Sequence, residues 1–413
     1  MLNRFKKIDP FGKNIILVFA GTTLGNVFNL LYQLLIAHRM SPQDFAGFNS
    51  LLSLFMLITA PLSTLHTGVC KYLADFNARG ELVKVRALLS ALLRKILPLA
   101  AVTCVIFYLS SFYIIAKLKI VSGWAGSILA ASLAAAWISP VLWGALQGLE
   151  LFRWFVLMSI ICGITKLIFA FSFLNLGYNI SGALSSFLLS LLAGIAISFF
   201  PLKRLISFKK AEGEINLMDF FLYLAPVAVS FFCFMALVNL DMVLVKYFFS
   251  REDAGFYSLA QMEGKIFLFL PLAISIVMFP KTAGLNAVKM KTGSILMKSL
   301  FYAFGLCAAA NIFFNIFPSF ILKALTGKAP LESIVLGRFF GVSMSFFALL
   351  LILMNYFLSI KDLRFMKYLI VSAALQPLAI VFFHKNLIQV QSIICLNSIL
   401  LFLSLFSLFR KRQ

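Results

Sequence analysis

The sequence predicts an all-α polytopic membrane protein of about 12 transmembrane helices in two six-helix lobes. Three observations predict this fold: an apolar composition, a succession of long apolar runs, and a motif that occurs twice. The 413 residues are 62% hydrophobic and 12% charged, whereas soluble domains are roughly half apolar and a quarter charged. The composition therefore places most of the chain in a lipid bilayer.

The apolar runs have the length and continuity of membrane-spanning helices. About 20 residues are needed to cross roughly 30 Å of hydrocarbon, and continuous runs lack the alternation of membrane β-strands. The first run follows basic residues but is too long for the apolar region of a signal peptide. The predicted spans are 14–37, 45–70, 96–116, 124–147, 154–176, 180–202, 219–245, 254–280, 297–322, 331–358, 365–384 and 387–409.

The distribution of basic residues predicts the topology. With both termini in the cytoplasm, the inside segments hold 25 of the 36 Lys and Arg residues and the outside loops hold eight. Short loops rich in Lys and Arg stay cytoplasmic, so we expect a multi-pass protein with cytoplasmic N- and C-termini. The net charge of +22 then serves orientation and contact with anionic membrane lipids, and we expect no nucleic-acid partner.

No catalytic or metal-binding motif is recognisable in the sequence. The six cysteines lie in or at the ends of spans without a Cys-x-x-Cys pair, and the three histidines share no helical spacing. No Ser/His/Asp set, Cys/His set or phosphate-binding Gly-rich loop can be assembled. We therefore expect no cofactor, no metal and no enzymatic activity.

A short motif occurs in both halves of the chain. The segment SPQDFAGFNSL (41–51) joins the first two spans, and SREDAGFYSL (250–259) joins the seventh and eighth. Six spans per half place both halves in the same orientation, as parallel repeats related by a pseudo-two-fold axis along the membrane normal. The predicted organisation is an N-terminal lobe 1–202, a cytoplasmic linker 203–218 and a C-terminal lobe 219–413.

Two prolines occupy corresponding positions in the repeats. Pro61 in the second span and Pro271 in the eighth are 210 residues apart. A proline inside a helix cannot donate its backbone hydrogen bond, so each weakens one turn and permits a bend. We interpret the pair as hinges of a rocking motion between two states; the alternative is that membrane helices simply tolerate proline.

The residues around the repeated motif also carry a family resemblance. LLIAHRMSPQDFAGFNSLLSLFMLITAPLSTLHTGVCKYLADF (34–76) turns sharply before Gly-Phe and ends at a basic cytoplasmic segment. LVNLDMVLVKYFFSREDAGFYSLAQMEGKIFLFLPLAISIVMFP (237–280) has an aspartate before AGFYSLA and closes in Phe-Pro. Both resemble hairpins of the polysaccharide flippase family, within the multidrug, oligosaccharidyl-lipid and polysaccharide exporter superfamily. The resemblance implies a flippase-like fold and a lipid-linked saccharide substrate.

Five ionisable residues within the predicted spans are candidate functional residues. A charge at the bilayer centre costs about 2.5–3.5 kcal/mol on insertion scales, so its presence indicates a role. Lys166 and Lys265 lie near mid-membrane, and Arg338 is close enough to the outer interface to reach it. We interpret these three as substrate-binding residues. Asp241 and Glu263 are candidates for ion coupling, and a step of about 200° directs Glu263 and Lys265 to different faces of one helix.

The sign of these charges favours an anionic cargo. Three basic residues against two acidic ones suit the diphosphate of a polyprenyl-linked oligosaccharide, whereas cationic drugs require carboxylates. A flippase or secondary transporter of such a lipid-linked repeat unit, working by alternating access, is therefore expected, and the family resemblance implies the bacterial inner membrane as its location. A cation-coupled multidrug exporter and a membrane-embedded polymerase or glycosyltransferase are the alternatives. Polysaccharide polymerase or export machinery are candidate partners.

Overall fold

The computed structural model describes residues 10–206, 217–287 and 290–411, and its regular secondary structure in these ranges is entirely helical. Most of the predicted linker 203–218 and the basic residues before residue 10 lie outside the described residues. The first half contains six helices, one for each predicted span. They are α1 (Pro10–Arg39), α2 (Pro42–Ala78), α3 (Leu82–Lys117), α4 (Ala125–Gly148), α5 (Phe152–Asn175) and α6 (Asn179–Leu202).

The second half has eight helices because two of its spans are interrupted. Proline is tolerated in the first turn of a helix, where its missing N–H is not needed, and both breaks lie at prolines. One precedes Leu272, directly after Pro271, and the other precedes Pro318. The helices are α7 (Leu217–Phe248), α8 (Arg251–Phe269), α9 (Leu272–Ala287), α10 (Gly293–Ile316), α11 (Pro318–Thr326), α12 (Leu331–Ser359), α13 (Met366–Phe382, after a 3-10 turn at Leu363–Phe365) and α14 (Leu387–Arg410).

The lengths and composition of the helices fit a multi-pass membrane protein. Within the described ranges, ten helical segments are long and apolar enough to cross a membrane. The predicted first and eighth spans are not in this set. The eighth corresponds to α8, which is 19 residues long and carries charged residues in its first turn and at Glu263 and Lys265, and to α9, which is 16 residues long. The all-helical membrane fold is confirmed, while the spans 254–280 and 297–322 are each two helices instead of one.

The contacts between helices divide the chain into two compact units. The first unit comprises Met1–Arg39 and Ile58–Ala228, and the second comprises Met40–Leu57 and Val229–Gln413. The boundary in the first half lies inside α2, between Leu57 and Ile58. The N-terminal turns of α2 therefore pack with the second half of the chain.

Small residues allow close helix packing in the first unit. A Cβ atom on Gly144 would lie 2.5 Å from the carbonyl oxygen of His66, and one on Gly148 would lie 2.5 Å from that of Cys70. Both distances are too short for any side chain, so α4 approaches the backbone of α2 directly. Such contacts through glycine replace the hydrophobic effect as a source of helix association in lipid.

The core of the second unit is built around α12. This helix contacts α8, α9, α10 and α14, and its buried aromatic residues include Phe340, Phe347 and Phe357. Facing outwards, α10 exposes Phe301 and Phe304. The second unit thus has a packed centre and apolar side chains on its exposed surface.

Candidate functional site in the membrane-spanning helices

Lys166 on α5 is held by residues of α1 and α6. Its Nζ donates a hydrogen bond to Asn29 Oδ1 at 2.8 Å and lies 4.9 Å and 5.1 Å from the ring centroids of Tyr32 and Phe187. Tyr32 is fixed in turn, because its hydroxyl donates to the Ala183 carbonyl at 2.8 Å. Each cation–π contact contributes about 0.5–2 kcal/mol. An amide oxygen and two aromatic faces therefore replace water around this ammonium group.

Asp241 on α7 is fully buried and accepts hydrogen bonds from neutral donors. The Tyr257 hydroxyl lies 2.7 Å from Oδ2, and Gln261 Nε2 lies 3.2 Å from both carboxyl oxygens. The same hydroxyl lies 3.3 Å from Gln391 Oε1, and Gln391 Nε2 donates to Ser343 Oγ at 2.9 Å. Buried polar groups persist when their partners are present. Asp241 is thus connected to α8, α14 and α12.

Lys265 lies on α8 one turn after Gln261 and is half-buried. It interacts electrostatically with the carboxyl group of Asp241. The fold therefore places one predicted substrate-binding residue within electrostatic range of one predicted coupling residue on another helix of the second unit. We refer to Asp241, Tyr257, Gln261 and Lys265 as the Asp241 cluster.

Glu263 faces a different helix from Lys265, as their spacing on α8 predicts. Its side chain packs on α12, where Oε2 lies 2.6 Å from the position of a Cβ atom on Gly337. Glu263 is 2% exposed. Neither carboxyl oxygen has a hydrogen-bond partner in the part of the chain that the structure describes.

Arg338 and Lys166 are not members of the Asp241 cluster. Arg338 follows Gly337 on α12 and is exposed, in keeping with the long reach of its side chain. Lys166 belongs to the first unit. Among the described residues, Lys265 interacts electrostatically with a predicted coupling residue, while the hydrogen-bond and ring partners of Lys166 are neutral.

The two predicted hinge prolines have different local structures. Pro61 lies inside the unbroken helix α2, where its missing N–H leaves the carbonyl of Leu57 without its usual helical partner. The Thr64 hydroxyl donates to the Pro61 carbonyl at 2.7 Å, a contact that commonly accompanies helix bending. Pro271 instead separates α8 from α9. The weak turn at Pro61 coincides with the boundary between the two units at Leu57.

A set of neutral amides forms a second buried network that charge alone does not reveal. Gln376 Nε2 on α13 donates to the carbonyl of Leu237 on α7 at 2.7 Å. Asn397 Nδ2 on α14 donates to Gln376 Oε1 at 2.9 Å, and the Ser372 hydroxyl donates to Asn397 Oδ1 at 2.7 Å. Leu237 is one turn before Asp241, so both networks hold the same part of α7. Asn and Gln within apolar runs are the sequence signal that identifies such residues.

The two copies of the repeated motif contact each other in the second unit. Asn49 Nδ2 donates to Ser258 Oγ at 2.8 Å, and both residues are buried. A Cβ atom on Gly255 would lie 2.9 Å from Pro42 Cβ, so glycine is needed for the approach. Lys328 Nζ donates to the carbonyl of Met40. The start of α2 is therefore fixed to α8 and to the loop before α12.

An all-helical chain with ionisable side chains inside its spans and a motif repeated in its two halves defines a polytopic membrane transporter. The chain belongs to the polysaccharide biosynthesis protein family, whose family model matches residues 11–285. The resemblance expected from the two hairpins is thus confirmed. No curated protein matches the chain.

Solved structures similar to this chain are transporters of the MOP superfamily. An inward-facing multidrug resistance MATE family transporter aligns with a TM-score of 0.78 and 15% identity, over 96% of this chain and 97% of the other. The lipid II flippase MurJ in an inward closed conformation aligns with a TM-score of 0.70 and 14% identity, over 96% of this chain and 88% of the other. A MOP superfamily transporter from Pyrococcus furiosus, described by the reverse polarity of its binding pocket, aligns with a TM-score of 0.65 and 15% identity, over 96% of this chain and 94% of the other. These identities establish a shared fold.

Proposed function

We propose that this protein is a secondary transporter or flippase that moves a polyprenyl-diphosphate-linked oligosaccharide from the cytoplasmic to the outer leaflet. The family is one of polysaccharide biosynthesis, and a lipid II flippase shares the fold. The observation that carries the proposal is the half-buried Lys265 on α8, within the predicted eighth span. A diphosphate leaving water needs positive hydrogen-bond donors in a low-dielectric environment.

Lys166 and Arg338 are proposed to bind the same head group. The Lys166 ammonium makes one hydrogen bond, to Asn29, and has three donors, so an anionic oxygen can join that amide. Arg338 is exposed and offers a planar guanidinium that binds phosphate through two parallel hydrogen bonds. In this proposal the head group contacts these basic residues, and the lipid tail stays in the bilayer.

A cation-coupled multidrug exporter of the same fold is the alternative. The likeness to a multidrug resistance MATE transporter and the buried carboxyl groups of Asp241 and Glu263 favour it. Carboxyl groups would dominate a site for cationic drugs. The three basic residues within the spans argue for the anionic cargo.

In the proposed cycle the protein alternates between access to the cytoplasm and access to the outside. Helix α2 bends at Pro61 and the α8–α9 segment bends at Pro271. The contact of Met40–Leu57 with α8 opens when the head group is released outside. An ion gradient or the membrane potential biases the cycle through Asp241 and Glu263.

The proposed cellular setting follows from the substrate. We place the protein in the bacterial inner membrane with cytoplasmic termini, where lipid-linked repeat units and membrane lipids are its partners. Polysaccharide polymerase or export machinery receives the product. The protein acts as a transporter and not as an enzyme, since it moves its substrate to the other leaflet and neither forms nor breaks a covalent bond.

Reconstituted vesicles test the proposed function directly. We expect the purified protein to transfer the head group of a fluorescent polyprenyl-diphosphate oligosaccharide and to leave a cationic dye in place. Protein-free vesicles provide the background rate. Dye efflux driven by sodium or protons, without transfer of the head group, would assign the chain to multidrug export instead.

Substituting Pro61 tests the hinge in α2. Pro61→Ala supplies an N–H for the Leu57 carbonyl, and one such hydrogen bond contributes about 1 kcal/mol, equivalent to a roughly fivefold shift towards the straight helix. We expect a higher melting temperature and slower head-group transfer. Pro98→Ala, in the interior of α3, is the control. Transfer at the wild-type rate in Pro61→Ala would show that α2 does not bend there.

A further inference from the structure

Glu263 differs from Asp241, the other buried carboxyl group among the described residues, because no hydrogen bond compensates for its burial. Asp241 accepts hydrogen bonds from Tyr257 and Gln261, whereas both oxygens of Glu263 lack a partner in the described ranges. Burying an ionised carboxylate without donors costs far more than burying a neutral acid. The environment of Glu263 is therefore suited to the neutral acid.

In the part of the chain that the structure describes, the helices packed around Glu263 provide no neutralising charge. Its close neighbours are Gly337 on α12 and Phe314 on α10. Both Glu263 Oε2 and Phe314 Cζ approach the Gly337 Cβ position, and the Phe314 atom lies 3.1 Å from it. The titratable and charged groups of the packed helices are directed elsewhere or exposed. Lys265 interacts electrostatically with Asp241, Cys307 lies at the Phe267 carbonyl, and Lys298, Lys323, Glu332 and Arg338 are exposed.

Two glycines on one face of α12 make room for oxygen atoms from neighbouring helices. At 2.6 Å from the Gly337 Cβ position, Glu263 Oε2 occupies space that any other residue would fill. One turn later, Asn311 Oδ1 lies against the Gly341 Cβ position. In the described ranges that oxygen accepts no hydrogen bond, while the Asn311 Nδ2 group donates to Gly341, Ser345 and Cys307. Acceptors without a donor therefore line this face of α12.

We propose that Glu263 is a proton-binding site in the second unit. The carboxyl group carries a proton while it packs against Gly337, and the proton on one oxygen supplies the donor that this face of α12 lacks. When the proton leaves to water, the carboxylate is no longer stable in the space that Gly337 leaves on α12, and α8 loosens from α12. The proposal identifies the ion for one of the two coupling residues, and only its link to transport rests on the proposed function.

Infrared spectroscopy of the purified protein tests for the proton without any cargo. A protonated carboxyl group gives a C=O stretching band that shifts in heavy water. We expect this band at neutral pH in the wild type, its partial loss in Glu263→Gln, and its retention in Glu252→Gln, an exposed glutamate on the same helix. Spectra of Glu263→Gln and wild type without a difference in this band would overturn the proposal.

The pH dependence of thermal unfolding provides a second readout. The folded protein holds a proton at neutral pH that an unfolded glutamate has already lost, so stability is present at low pH and decreases as pH rises. We expect the melting temperature to fall less steeply with rising pH in Glu263→Gln, because glutamine resembles the protonated acid in shape. In Glu252→Gln it should fall as in the wild type.

Sodium is the competing ion, and the same assay distinguishes it. A melting temperature that rises with sodium at constant ionic strength in the wild type, and does not in Glu263→Gln, would identify a sodium site and overturn the proton assignment. Neither measurement involves a glycan. A failure of head-group transfer with a positive infrared result would therefore reject the flippase function and leave the proton site intact.

Discussion

Lys265→Gln is expected to reduce head-group transfer by roughly ten- to a hundredfold. A hydrogen bond to a charged group contributes about 1.5–3 kcal/mol, and 1.4 kcal/mol is a factor of ten. Glutamine retains the polarity of the side chain and much of its length but removes the positive charge beside Asp241. Transfer in vesicles, normalised to the amount of folded protein, measures the effect.

Two further variants separate binding from folding. Lys265→Arg keeps the positive charge and should retain much of the transfer, and Lys298→Gln removes an exposed lysine from α10 and should have no effect. Asp241 keeps the donors Tyr257 and Gln261 in Lys265→Gln, so we expect the protein to remain folded. Unchanged transfer by Lys265→Gln would remove this residue from the substrate site.

The helices could be predicted from sequence more completely than their interruptions. Apolar runs determine where a chain enters and leaves the bilayer, and each predicted span contains one or two helices. Hydropathy does not register the break at Pro271, because proline continues an apolar run while it prevents the helical hydrogen bond. Pro61 has the same chemistry but lies in an unbroken helix. Local packing, and not the residue type, decides whether a proline lies within a helix or at a break.

The ionisable members of the candidate site could be predicted because charge is rare in a membrane. Their partners could not, since Tyr257, Gln261 and Asn29 are neutral and come from helices whose packing no local pattern specifies. The spacing of Glu263 and Lys265 did predict that they face different helices. It could not predict that Lys265 interacts with Asp241, or that Glu263 packs beside Gly337 on α12.

The repeated motif illustrates the same limit. Its recurrence is visible in the sequence, and Gly255 is one of its shared positions. The structure gives that glycine a physical reason, because a Cβ atom there would meet Pro42 in the other copy. The contact joins the start of α2 to α8, within the second unit, while the rest of α2 belongs to the first.

Crosslinking the two copies of the motif is expected to stop head-group transfer. Asn49→Cys and Ser258→Cys, introduced after the six native cysteines are replaced by serine or alanine, place two thiols where Asn49 Nδ2 and Ser258 Oγ are 2.8 Å apart. A short bifunctional thiol reagent that reductant can cleave then holds α2 to α8. If this contact must open to release the head group, transfer should fall in proportion to the crosslinked fraction and recover on reduction.

A matched pair in the second unit controls for the chemistry of the crosslink. Ser372 and Asn397 are the same residue types at 2.7 Å, and they join α13 to α14, which have no part in the proposed opening. Crosslinking Ser372→Cys to Asn397→Cys should leave transfer unchanged, as should each single cysteine with the reagent. Full transfer by the crosslinked Asn49/Ser258 pair would mean that the contact stays closed throughout the cycle, and the opening would then have to occur elsewhere.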